Sequence, residues 1–123
     1  MCIAIAGMGG FVLPILFWPP AKTYDAPLFP LVRTAVETLN PASFAAIFVV
    51  GCLAGFCCRL PVKVIGLAAM TLFPLAAFAE IAKDGTSHNL IPFEIVAYAL
   101  YSIVPFFGGL LGRGVRRLTP LGK

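Results

Sequence analysis

Charge is what this chain has least of. Nine lysines and arginines, five aspartates and glutamates and a single histidine are spread over 123 residues. A water-soluble domain this small needs a largely polar surface to enclose its core. Here 60% of residues are apolar and the mean hydropathy is +0.98, well above the globular norm of roughly 45–50% apolar. The composition therefore excludes an ordinary soluble domain and predicts a multispan membrane protein. Catalytic signatures are missing as well: there is no nucleophile elbow, no phosphate-binding glycine loop and no HisGluxxHis zinc motif, so an enzyme is not expected. The four cysteines, Cys2, Cys52, Cys57 and Cys58, lie within or at the ends of apolar runs, which predicts free thiols instead of a disulfide framework. Cys57 and Cys58 are adjacent and His88 is far beyond them, a spacing no zinc site uses, and neither a metal nor a cofactor is expected.

What remains is hydrocarbon with punctuation. Apolar segments run over about 2–18, 41–58, 62–82 and 90–112, each close to or above the length needed for a hydrocarbon core of roughly 30 Å. The first could be a secretory signal, but it has no basic start and no small-x-small site before Trp18-Pro19-Pro20, so it is read as a span. Asn40-Pro41 opens the second with a capping side chain and a proline at the first helical position. Pro14, Pro74 and Pro105 lie inside three of the segments and predict kinks. Between Pro30 and Pro41, residues 31–39 have helical spacing, with Val32, Val36 and Leu39 on one face and Arg33 and Glu37 as an i,i+4 pair on the other. That pattern suits a short helix lying in the membrane interface. The expected fold is thus all-α: a single domain, a four-transmembrane-helix bundle with short loops and an interfacial helix at 31–39.

Threading follows from where the cations lie. Arg59 and Lys63 flank the turn between the second and third segments, and Arg113, Arg116, Arg117 and Lys123 crowd the tail, all unopposed by acids. By contrast Lys22 and Arg33 are balanced by Asp25 and Glu37, and Lys83 is outnumbered by Glu80, Asp84 and Glu94. Four spans put both unopposed clusters on one side. These anchors predict an inner (plasma) membrane protein of a bacterium with both termini cytoplasmic. Because the cations end apolar runs and do not form a stripe with interleaved aromatics, nucleic acid is not an expected partner.

One polar constellation stands out. The hairpin 84–92, with its flanks, gathers Glu80, Asp84, His88 and Glu94 near one membrane face, and carboxylates with an imidazole can hold a cation or pass protons. The same residues also suit plain structural roles: Glu94 in a first turn and Lys83 in a last turn complement the helix dipole, Glu80 can pair with Lys83, and Ser87 or Asn89 is a natural cap. Thr71 and Ser102 are the polar groups deepest in the spans, and such hydroxyls commonly bond back to the preceding turn. Tyr98 and Tyr101 are expected to pack between helices. Two GxxxG pairs, Gly51 with Gly55 and Gly108 with Gly112, permit backbone-to-backbone helix approach.

Two functions are compatible with this pattern. The first is a partner-dependent accessory, assembly or scaffold subunit whose glycine faces dock another membrane protein or copies of itself in the bilayer. The alternative is a minimal homo-oligomeric transporter or ion channel built on the outward carboxylate and histidine cluster. Small multidrug transporters and fluoride channels share this size and span number, but the first segment has no acidic residue and the loops lack a polar, aromatic-rich filter; that likeness is one of architecture alone.

Overall fold

The computed structural model describes residues 1–19, 23–25, 28–83 and 91–119. Among these the chain is all α-helical: α1 (Cys2–Phe17), α2 (Pro30–Thr38), α3 (Pro41–Cys57), α4 (Val62–Met70), α5 (Leu72–Lys83), α6 (Ile91–Tyr101) and α7 (Ile103–Leu118). Two stretches, Val62–Lys83 and Pro92–Leu118, are long and apolar enough to cross a membrane, and α2 with α3 makes a third if that pair, bent by 100°, is taken as one span. The expectation of four spans is met only to that extent. The shortfall is one of length: the 16 residues of α1 and the 17 of α3 rise only about 24–26 Å, a little less than the hydrocarbon core.

Local sequence explains several helix ends. Asn40 Oδ1 accepts the Ala42 N–H at 3.0 Å, with Pro41 at the first helical position, so α3 begins as its sequence predicts. The long third and fourth segments are each interrupted three residues ahead of a proline, at Thr71 before Pro74 and at Ser102 before Pro105. A proline ring displaces the carbonyl of the preceding turn and supplies no N–H, which breaks the ladder there. Both hydroxyls bond back as expected, Thr71 Oγ1 to the Leu67 carbonyl at 2.8 Å and Ser102 Oγ to the Ala99 carbonyl at 2.6 Å. The last helix runs on to Leu118, beyond the expected end at 112.

The two GxxxG pairs meet each other. A Cβ placed on Gly51 would collide with the Pro105 carbonyl and one on Gly55 with that of Gly109; reciprocally, Gly108 meets the Phe48 carbonyl and Gly112 that of Cys52. Every partner in one set is displaced by the same distance along the sequence from its counterpart in the other. The α3–α7 contact is therefore a local two-fold written twice in one chain. On its flank α1 packs on α3 and α4 on α7, while α1 and α4 touch where Gly7 meets the Ala69 backbone. These glycine faces are filled from within the chain.

Beside this seam lies an aromatic centre. Phe11, fully buried, meets Phe44 and Phe73 edge-on at 5.5 and 5.3 Å and stacks on Tyr101 at 6.1 Å. Tyr98 lies 5.8 Å from Phe73, so both tyrosines pack between helices as expected. Offset and edge-on pairs of this kind contribute about 0.5–1.5 kcal/mol each beyond their burial.

Candidate functional site

Among the described residues the carboxylates of Glu37, Glu80 and Glu94 lie at one end of the molecule and a cluster of cations at the other. At the basic end Arg113 donates to the Leu60 carbonyl and Arg116 to the Cys58 carbonyl at 3.5 Å. The tail arginines thus cap the turn that carries Arg59 and Lys63, bringing both basic clusters together; Arg117 is exposed beside them. The Arg116 bond meets the carbonyl of the α3 C-cap, where a cation also complements the helix dipole, and the Arg113 bond meets one in the turn beyond it. At the other end lies α2, with the last turns of α5 and the first of α6.

There α2 creates a demand that α5 meets. Its N-cap is Phe29, which has no capping side chain, and Pro30 follows at the first helical position. The Phe29 amide, part-buried, needs an acceptor from another element. Glu80 supplies it: its Oε1 accepts the Phe29 N–H at 2.9 Å, and the residue is only 3% exposed. A carboxylate at a helix N-terminus is also favoured by the dipole. A second tie holds the approach to α2, where the Thr34 hydroxyl accepts the Tyr24 N–H at 3.0 Å. Leu39, in the left-handed region at φ 51°, then turns the chain sharply into α3. Leu39 is 52% exposed, so it does not share the buried face of α2 with Val36 as its spacing predicts; Thr34 and Ala35 do.

Under α2 is a small cavity of about 30 Å³, walled by Phe29, Arg33, Glu37, Glu80, Glu94 and Tyr98 with neighbouring apolar side chains. That is room for a water or a bare cation. Glu94 Oε2 is shielded from solvent. Arg33 Nε donates to Glu37 Oε1 at 2.8 Å, making the expected ion pair, with both side chains part-exposed. Among the described residues three carboxylates and one guanidinium border this space.

Of the residues singled out in sequence, the structure brings Glu80 and Glu94 to this cavity. Asp84 and His88 lie outside the described residues, as do Ser87 and Asn89. The third carboxylate is Glu37, whose sequence spacing points only to an i,i+4 pair with Arg33. The missed signal was the start of α2: an apolar N-cap followed by proline leaves an amide that some distant acceptor has to satisfy. The four thiols are unpaired, with Cys2 and Cys57 exposed.

Comparison with protein-family models, curated proteins and solved structures finds no match.

Proposed function

We propose that the chain is a four-span integral membrane protein, with both termini and the basic end cytoplasmic, that binds a proton or small cation in the pocket beneath α2 as part of a homo-oligomeric transporter or channel. The observation that carries this reading is Glu80: a carboxylate at 3% exposure that shares one cavity with Glu94. Ionisable groups withdrawn into a membrane protein are functional by default. The collection of Arg59, Lys63, Arg113 and Arg116 at the opposite end supports the threading, through the retention of cations on the cytoplasmic side.

Among the described residues the Thr71 and Ser102 hydroxyls are turned onto their own helices, so neither supports a polar route through one chain. A pathway would be completed between chains. That same point favours a second reading, the partner-dependent subunit, in which the carboxylate pocket serves a larger protein.

Flux through liposomes containing only the purified protein separates the two. Cation- or proton-coupled flux that Glu80→Gln and Glu94→Gln each reduce at least tenfold is expected for the transporter. Silence in liposomes, with a larger membrane protein copurifying in fixed ratio, would replace it by the subunit reading. Threading has its own check. In a variant with no other cysteine, Ser87→Cys is expected to react with an impermeant maleimide on intact cells, and reaction only after permeabilisation would reverse the orientation.

A further inference from the structure

Between the third and fourth apolar segments runs a groove that the carboxylate pocket does not use. Two adjoining cavities form it, about 310 Å³ at the end marked by Lys63 and Gly66 and about 240 Å³ towards Pro74 and Tyr98. They share Leu67 and Ser102, so the two adjoin along the same pair of segments. Its walls are nearly all hydrocarbon, and the two hydroxyls on it, Thr71 and Ser102, each bond to a carbonyl of their own helix. Chemically it is a dry slot, unfit for an ion. Leu67 at 63% and Ile103 at 46% exposure mark its lips, open along the side of the molecule.

We propose that this groove holds one acyl chain of an anionic phospholipid, with the headgroup at Lys63. Two features select that occupant. The first is length: from Lys63 to Pro74 the groove follows roughly 16 Å of helix at 1.5 Å per residue, which is the depth of one leaflet of a hydrocarbon core about 30 Å thick. The second is charge. Lys63 is exposed at the mouth, and the turn beside it carries Arg59 and the bound guanidinium groups of Arg113 and Arg116. A phosphate is attracted there, and each nearby cation strengthens anionic lipid binding by about 1 kcal/mol. A neutral lipid would have the slot without the anchor. The inference rests on the membrane placement proposed above and is independent of the carboxylate site.

Native mass spectrometry of the full chain in mild detergent, titrated with phosphatidylglycerol or phosphatidylcholine of equal chain length, tests it. One phosphatidylglycerol per chain is expected, held at least fivefold more tightly than phosphatidylcholine. Lys63→Gln is expected to weaken phosphatidylglycerol about fivefold and leave phosphatidylcholine unchanged. Ala99→Phe, which fills the slot without altering charge, is expected to release both lipids while the far-ultraviolet spectrum stays helical. Phosphatidylglycerol binding that survives Ala99→Phe would overturn the proposal, because the lipid would then sit on the basic end alone. So would Ala99→Cys that forms an intermolecular disulfide in membranes, since a second copy would occupy the groove. A chain that stays soluble without detergent would instead defeat the membrane placement itself.

Discussion

Backbone contact at Gly55 and Gly112 leaves no room for even a methyl group, because the atoms a Cβ would strike are the carbonyls of Gly109 and Cys52. A rigid backbone on the facing helix has no rotamer to change. Gly55→Ala and Gly112→Ala are each expected to destabilise the folded chain by about 1–3 kcal/mol, read as a lower midpoint in detergent unfolding. Gly9 and Gly114 have nothing within 4 Å of the same position. Alanine there is expected to be neutral or mildly stabilising, since alanine is the better helix former by about 1 kcal/mol. Equal effects at all four sites would mean that helix propensity, and not the α3–α7 seam, governs. Glu80 allows a similar separation of roles. Glutamine retains an oxygen that can accept the Phe29 N–H, whereas alanine removes it, so Glu80→Ala is expected to destabilise by about 1–3 kcal/mol and Glu80→Gln by clearly less. If glutamine unfolds the protein as readily as alanine, the carboxylate charge and not the capping bond holds α2 in place.

At the scale of elements, α2 is held from outside. Its start is capped by another helix and its approach by Thr34, while its end depends on one left-handed residue. A side chain with a Cβ costs about 1–2 kcal/mol in that conformation, and glycine adopts it freely. Leu39→Gly is therefore expected to stabilise the α2–α3 corner by about 0.5–1 kcal/mol net of the backbone entropy glycine adds. Slower amide exchange in α2 would report it, and faster exchange would mean that the exposed leucine contributes more through contact with its surroundings than it loses in strain. The paired breaks at Thr71 and Ser102 belong to this scale too. Each break lies three residues ahead of its proline, and the residues at the breaks, Thr71 and Ser102, face each other across the lateral groove as part of its wall.

For the whole molecule the decisive features are polarity of charge and repetition of contact. Cations collect at the α3–α4 turn with the help of the tail arginines, and carboxylates collect beneath α2 at the far end. A field of that form favours one orientation in a membrane, which is why the labelling of Ser87→Cys tests the full arrangement at once. Repetition gives the bundle its centre: α3 and α7 approach through matching glycines, with α1 and α4 as their respective neighbours. The flux measurement belongs to this scale, since the proposed path is one that several chains complete together.

Composition and spacing determined by themselves that this chain is helical and suited to a membrane, where its helices begin at Asn40-Pro41 and break near Pro74 and Pro105, and that Arg33 pairs with Glu37. Those properties are local: hydrophobic run length, a cap, a missing N–H and a four-residue reach are all written within one turn or one segment. Tertiary structure alone decided what the glycines face, because GxxxG permits close approach but does not name the partner, and here the partner is the same chain. It also decided that Glu80 turns inward to serve a helix 51 positions away, and that Glu37 joins it. A carboxylate near the end of a span has the same local pattern whether it meets water, lipid headgroups or an orphaned amide, and only the docking of α2 selects among them.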